Sequence, residues 1–216
     1  MIKKQAVRIK NSLRVLEVFN RKKINYRVLG SLLIAALNHK PHRRLGDIDI
    51  LLDQKHKLKV WDVFKRSGFE LVERKKIGFS WVEANHPDYL TFTFLLIGNF
   101  CDRYFSYRLS KMIELTISST YLEPYKYTLY GKAFIGIHPE SAAEGIRISS
   151  FNPKRKVDKS ILSGLVGTAS KRHSILKTFR VYICRVRIPY LYLLFSRLYD
   201  IYGGLRVLFG TRYEIW

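Results

Sequence analysis

The stretch Arg44-Leu45-Gly46-Asp47-Ile48-Asp49-Ile50-Leu51-Leu52-Asp53 places two carboxylates two residues apart in an apolar run. Residues i and i+2 of a β-strand face the same side, so Asp47 and Asp49 are expected to project together from one strand. Two like charges held side by side repel each other. The repulsion is relieved by an oxygen-preferring divalent cation, Mg²⁺ above all, or by pairing with Lys or Arg. Two solvated acids at the end of a strand are the remaining alternative.

The segment before this run predicts a strand, a tight turn, a short helix and a loop. Asn25–Leu29 is the strand, Gly30 and Ser31 form the turn, and the apolar residues 32–37 are the helix. Gly30 permits a sharp turn and a close approach to a ligand. Ser31 stands at the helix start, where free backbone N–H groups favour an anion such as phosphate. An ordinary helix N-cap explains Gly30-Ser31 equally well.

A phosphate site beside a pair of metal-binding carboxylates is the requirement of nucleotidyl transfer. Gly30-Ser31, then fifteen residues, then Asp47-Ile48-Asp49 within an Arg-x-x-Asp-Ile-Asp-type strand resembles the nucleotidyltransferase signature of the DNA polymerase β superfamily. The nearest branches are the aminoglycoside and lincosamide nucleotidyltransferases and the abortive-infection toxins. The matching motifs lie within residues 30–53.

The resemblance implies roles for these residues. Gly30 and Ser31 would hold the nucleoside triphosphate, with ATP the expected one, and Asp47 and Asp49 would bind Mg²⁺ as catalytic ligands. Arg44 would contact phosphate or substrate, or else is a solvated loop residue. The implied reaction is Mg²⁺-dependent transfer of a nucleoside monophosphate from an NTP to an unidentified acceptor.

The family supplies a third carboxylate from a later strand, and Glu114, within the apolar run 112–117, is our prediction for it. Asp88 and Glu83 are the alternatives. The intervening strand carries Thr91 and Thr93 on its polar side, and threonine is a poor metal ligand. Without a third acid the chain is predicted to bind nucleotide but to catalyse weakly or not at all, as a binding module.

The run 153–158 resembles a basic element that follows the catalytic sheet in small nucleotidyltransferases, where basic residues position nucleotide or acceptor. On that resemblance Lys154 and Lys156 would bind nucleotide. The commoner explanation of such a run is a basic loop that starts a helix.

The charge of the chain is strongly positive and unevenly spread. The 216 residues hold 39 Lys and Arg against 17 Asp and Glu, a net of +22. The excess lies in residues 1–25 and 151–216, and it implies a polyanionic neighbour: nucleic acid, an anionic membrane or a phosphorylated substrate. A surface poor in acids is the plain alternative. Cys101 and Cys184 predict neither a disulfide framework nor a zinc site, so a reducing, cytoplasmic location is expected.

The pattern of elements predicts an α/β (α+β) fold, with a mixed sheet flanked by helices and a basic helical C-terminal appendage. We expect a nucleotidyltransferase-like domain over residues 1–158, including an N-terminal helix over 4–22. A Gly- and Ser-rich join beginning at Ser160 then leads into a basic, aromatic-rich helical region over 159–216. That region is expected to pack on the core, to lie peripherally on an anionic membrane, or to bind nucleic acid, in that order. No run reaches the length of a membrane span.

Overall fold

The computed structural model describes residues 2–76, 79–101, 104–108, 111–146, 153–166, 179–191, 193–194, 197–198 and 201. Its helices are α1 Ile2–Arg21, α2 Ser31–Leu37, α3 Lys57–Arg66, α4 Pro139–Ile146 and α5 Pro153–Val166. Its strands are β1 Tyr26–Leu29, β2 Asp47–Asp53, β3 Glu70–Lys76, β4 Phe79–Asn85, β5 Thr91–Cys101, β6 Tyr104–Arg108, β7 Ile113–Ser118, β8 Pro124–Leu129, β9 Lys132–Ile137, β10 Phe179–Ile183 and β11 Val186–Ile188. Short 3₁₀ turns span Gln54–His56 and Ser119–Leu122.

The strands form a mixed sheet in the order β11-β10-β7-β6-β5-β2-β1-β9-β8. The pairs β2–β5 and β1–β9 are parallel, and the other pairs are antiparallel. The long strand β5 joins two parts of the sheet, because its first half also pairs with β4 and its second half with β6. The predicted α/β fold with a mixed sheet and flanking helices is confirmed.

Helices α1 and α3 cover the same face of the sheet. Phe19 of α1 and Phe64 of α3 meet edge to face at 5.9 Å, and Phe64 lies 5.3 Å from Phe94 of β5. Phe92 and Phe94 are both fully buried. Because neighbouring residues of a strand face opposite sides, Thr91 and Thr93 belong to the other face of β5.

The helical period predicted for α1 explains its packing. Ile9, Leu13, Leu16 and Phe19 recur at three- and four-residue spacing and are each at most 1% exposed. Such a stripe buries one side of a helix against a sheet. The N-terminal helix is therefore confirmed.

Helix α2 approaches the sheet closely at Gly136 of β9. A β-carbon added at Gly136 would lie 2.4 Å from Leu33 Cδ2 and 2.9 Å from the ring of Tyr127. Real β-carbons do not make such contacts, so a glycine is needed where Leu33 enters. This contact fixes the height of α2 above the sheet.

The predicted helical character of the C-terminal region is wrong for residues 179–188. Phe179–Ile183 is strand β10, which pairs with β7 along its whole length, and Val186–Ile188 pairs with β10. Phe179 and Val181 are buried, and the residue between them is half-buried. This period of two is typical of a strand. The buried side of the segment packs on the core through Phe179. The described residues 191, 193–194, 197–198 and 201 are helical.

Helix α5 extends over the beginning of the predicted flexible join. Residues 160–166 are helical, and Leu162 packs on Ile34 of α2. The division between residues 158 and 159 stays a prediction, and it falls inside this helix. Within the described part of the chain, no helix has the length and hydropathy needed to cross a membrane.

Candidate active site

Asp47 and Asp49 lie on the face of the sheet opposite α1 and α3. Along β2, Asp47 is exposed and Asp49 is half-buried, whereas Ile48 and Ile50 are buried. The alternation follows from the pleat of the strand, with the isoleucines held in the core. The two carboxylates therefore share one open face at the start of β2.

The Gly30 corner lies directly against the Asp49 carboxylate. Gly30 follows Leu29, whose partner across the antiparallel pair β1–β2 is Asp49. Its φ of 73° and ψ of −147° belong to a region open almost only to glycine. A β-carbon added there would lie 2.9 Å from Asp49 Oδ2. The missing side chain thus lets a backbone turn and an acid occupy adjoining positions.

Ser31 and Arg44 flank this corner on different elements. Ser31 is the first residue of α2 and is 8% exposed. The N-cap residue is Gly30, which has no side chain to cap the helix. Arg44 is exposed in the loop between α2 and β2, three residues before Asp47.

The neighbouring strand β5 presents threonines to the acid pair. In the parallel pairing of β2 and β5, Asp47 is opposite Thr91 and Asp49 is opposite Thr93. The Thr91 hydroxyl donates to Asn85 Oδ1 at 3.1 Å. On the next strand, Glu83 is opposite Thr93 and lies on the same face two strands from Asp49.

The Glu83 carboxylate is held by its own partners. It accepts hydrogen bonds from Trp81 Nε1 at 2.9 Å and from Arg74 Nε at 3.0 Å. Burial raises the pKa of Glu83, but these two hydrogen bonds and the charge of Arg74 outweigh burial and hold it below the ordinary value. Glu83 is therefore an ionised acid in the same row as Asp49, beyond Thr93.

The structure does not bring Glu114 to the acid pair. Glu114 lies on β7, which is three strand positions from β2 in the order β7-β6-β5-β2. Strand spacing alone separates them by roughly 14 Å. The alternative acid Asp88 lies in the turn that α1 holds, where Asn11 Nδ2 donates to the Asp88 carbonyl at 3.2 Å.

Two carboxylates are enough to bind a Mg²⁺ ion whose coordination shell is completed by water and substrate. Among the residues described, no group of three His, Cys, Asp or Glu could hold a metal. Mg²⁺, however, commonly takes one or two carboxylates and fills its octahedron with water and phosphate oxygens. The donor set of Asp47 and Asp49 beside the Gly30 corner meets that requirement.

A buried ion-pair cluster holds the loop before β2 and was missed by sequence reasoning. Asp158 of α5 lies 2.7 Å from His42 Nε2 through Oδ1, and Arg43 donates to both of its oxygens at 3.2 Å. Burial raises the pKa of Asp158. The hydrogen bonds and charges of His42 and Arg43 lower it by more than burial raises it, so the carboxyl stays ionised. We name these three residues the Asp158 clamp.

The predicted nucleotide-binding lysines lie on the same helix as Asp158. Lys156 is exposed, and it is two residues from Asp158, a spacing that places side chains on different faces of a helix. Lys154 is in the first turn of α5, and its side chain lies outside the described residues.

Comparison with known proteins gives a family match over part of the chain and a fold. Residues 11–96 match the family described as aminoglycoside-2''-adenylyltransferase. Among solved structures, a lincosamide antibiotic adenylyltransferase, LnuA, with lincomycin bound superposes with a TM-score of 0.59 at 18% identity, covering 72% of this chain and 96% of that one. ANT(2'')-Ia in complex with adenylyl-2''-tobramycin superposes with a TM-score of 0.52 at 12% identity, covering 71% and 86%. No curated protein matches the sequence.

The chain has the nucleotidyltransferase fold. The resemblance inferred from the motifs is confirmed, and the family match supports the prediction that the chain is an enzyme. The matched segment contains Gly30, Ser31, Arg44, Asp47 and Asp49 but ends before Glu114, Lys154 and Lys156. It also ends before Asp158. The contact of Asp158 with the loop before β2 is therefore visible only in the folded chain.

Proposed function

We propose that the protein transfers a nucleoside monophosphate from an NTP, with ATP the expected donor, to a hydroxyl group of a small acceptor, and that Mg²⁺ is required. The observation that carries this proposal is the close approach of the Gly30 corner to the Asp49 carboxylate. A β-carbon added at Gly30 would lie 2.9 Å from Asp49 Oδ2. A triphosphate held at the corner would lie beside both acids. Mg²⁺ would supply charge neutralisation at the phosphate oxygens and activation of the attacking hydroxyl.

In the proposed reaction the residues of the open face bind and orient. The acceptor oxygen forms a bond to the α-phosphorus, the bond to the β-phosphate oxygen breaks, and pyrophosphate leaves while the hydroxyl proton is lost to water or a base. Asp47 and Asp49 would hold the metal between the donor phosphates and the acceptor. Ser31 would contact the triphosphate, and the positive charges of Arg44, Lys154 and Lys156 would attract phosphate or acceptor.

The ligands of the matched structures suggest which acceptors to test first. LnuA carries lincomycin, and ANT(2'')-Ia carries an adenylylated tobramycin. Hydroxyl groups of lincosamides and aminoglycosides are therefore the first panel for this chain. The basic character of the whole protein favours anionic partners, which makes phosphorylated hydroxyl compounds the second panel.

The experiment combines α-labelled NTPs, MgCl₂ and each acceptor panel with the wild-type protein, Asp49→Ala and a control, Asp62→Ala. Asp62 is a surface acid paired with Arg66 on α3. We expect label transfer by the wild type and the control, and none by Asp49→Ala, although Asp49→Ala unfolds at the same temperature. Equal transfer by Asp49→Ala and the wild type would rule the proposal out.

A second candidate function rests on the threonines beside the acid pair. Thr91 and Thr93 occupy the positions opposite Asp47 and Asp49, and Glu114 is three strands away. In this alternative the fold binds nucleotide without efficient transfer, and its basic ends bind nucleic acid or an anionic membrane. Saturable Mg²⁺–NTP binding with no label transfer to either panel or to a cell extract would favour it.

A further inference from the structure

A single acid is buried in an otherwise basic helix. The segment Pro153–Val166 contains three Lys and one Arg, and Asp158 is its one acid. The Asp158 side chain is only 3% exposed. Burying a carboxylate is unfavourable unless it is paired and hydrogen-bonded, so the position of Asp158 depends on its partners.

Those partners belong to the loop that leads to the acid pair. The His42 side chain is 5% exposed, and that of Arg43 is 26% exposed. His42 Nδ1 is buried and has no hydrogen-bond partner among the described residues. The orientation of the His42 ring is therefore set by its Nε2 contact with Asp158 and by packing.

Helix α5 holds this region at two points four residues apart. Leu162 packs on Ile34 of α2, and Asp158 holds His42 and Arg43 in the loop that follows α2. Residues four apart lie on one side of a helix. One face of α5 thus spans both the helix that begins at Ser31 and the loop that ends at Asp47.

The rest of the loop is fixed from the other side. Leu45 is 2% exposed, and its carbonyl accepts a hydrogen bond from Gln5 of α1 at 3.4 Å. Arg44 and Gly46, between the clamped and the buried residues, are exposed. The loop is therefore anchored at residues 42, 43 and 45, immediately before the first acid of β2.

We propose that Asp158 is a positioning residue for nucleotidyl transfer: through His42 and Arg43 it fixes the loop that sets the positions of Arg44 and Asp47. This inference rests on the proposed function of Asp47. Asp158 touches neither acid of the pair, and its effect passes through the loop. Misplacement of a reacting group by about 1 Å lowers rates by on the order of a hundredfold, so a loose loop is sufficient to impair catalysis.

The test compares three full-length variants: Asp158→Asn, Arg43→Gln and Leu162→Ala. The first two break the Asp158 clamp, and Leu162→Ala loosens α5 at its other contact while it leaves the clamp intact. Hydrogen exchange of the amides of residues 38–47 is measured in each, together with kcat and the KM for the NTP. Arg43→Gln carries the test if Asp158→Asn does not fold, because Arg43 is the most exposed member of the clamp.

We expect both clamp variants to exchange these amides roughly tenfold faster and to lose kcat by about tenfold or more, with a smaller change in KM. Leu162→Ala is expected to lower the melting temperature without either effect. If Leu162→Ala changes the loop and kcat as much as the clamp variants do, Asp158 acts through stability alone and the inference is wrong. A wild-type protein without transfer activity would overturn the proposed function instead, while the exchange data would still show whether Asp158 orders the loop.

Discussion

Leu29 and Asp49 are opposite one another in the antiparallel pair β1–β2, so the corner after Leu29 turns directly over the Asp49 carboxylate. The two residues are twenty positions apart in the chain, and the strand register alone makes them neighbours. Because the register is fixed by the buried isoleucines of β2, the packing of the core determines the geometry of the open face.

Gly30→Ala is expected to abolish transfer, whereas Gly46→Ala is expected to leave it nearly unchanged. An alanine at residue 30 would be strained at φ 73° and would meet Asp49 Oδ2, but an added β-carbon at Gly46 meets nothing within 4 Å. The strain at residue 30 corresponds to about 1–3 kcal/mol. Activity and thermal unfolding of both variants check this. Full activity of Gly30→Ala would show that the corner and Asp49 do not act together.

Thr93→Asp is expected to strengthen Mg²⁺ binding. The new carboxylate would lie opposite Asp49 and beside Glu83. Like charges on neighbouring strands destabilise a sheet by up to about 1 kcal/mol, so the variant should unfold at a lower temperature without metal. Added MgCl₂ should then raise its melting temperature more than that of Thr93→Asn, the uncharged control. Equal responses to MgCl₂ would place the cation elsewhere.

The Asp158 clamp is expected to make stability fall in acid. His42 and Arg43 keep the pKa of Asp158 below its ordinary value in the folded protein despite its burial. A depressed carboxyl pKa stabilises the fold above the unfolded pKa of about 4, and this stabilisation is lost as the pH falls through the folded pKa. Asp158→Asn should lower the free energy of unfolding by about 3 kcal/mol at pH 7.

Denaturant titrations of the wild type and Asp158→Asn at several pH values measure this difference. It should shrink as the pH falls below about 4. A difference that stays constant down to pH 2 would mean that the charge of Asp158 contributes nothing to stability.

Gly136→Ala and Gly164→Ala are expected to change stability in opposite directions. At Gly136 the added methyl group would overlap Leu33 and Tyr127, whereas at Gly164 in α5 it meets nothing within 4 Å. Overpacking at residue 136 should destabilise the protein by about 1–3 kcal/mol. Alanine inside an exposed helix should stabilise it by about 0.5–1 kcal/mol. Thermal unfolding of the two variants checks both signs, and a stabilised Gly136→Ala would show that α2 can move away from the sheet.

The corner and the acid pair were predictable because both depend on local patterns. The alternation around Asp47 and Asp49 defines a strand face. Gly30 follows a short strand, and the residues between Gly30 and Asp47 are enough for a helix and a loop. The alternation of residues 89–96 likewise predicts β5, with Thr91 and Thr93 on its polar side. What the sequence could not supply is the strand order, and for that reason Glu114 was assigned to a site three strands away.

The Asp158 clamp and the C-terminal strands escaped prediction for different physical reasons. Asp158 lies within a basic run, and its partners are more than a hundred residues earlier, so only the tertiary fold joins them. In strand β10, Arg180 lies between the buried Phe179 and Val181, and Tyr182 follows. Interleaved basic and aromatic residues also fit a helix face, although the alternation of two is the stronger signal.

The pairing of β10 with β7 has a practical consequence for shortened versions of the protein. A chain that stops at residue 158 would end within α5, lose the Leu162 contact and uncover the edge of β7. An uncovered strand edge is a template for pairing with another molecule. Such a fragment should self-associate during purification. Its oligomers would result from the uncovered edge of β7 and would not represent the quaternary state of the whole chain.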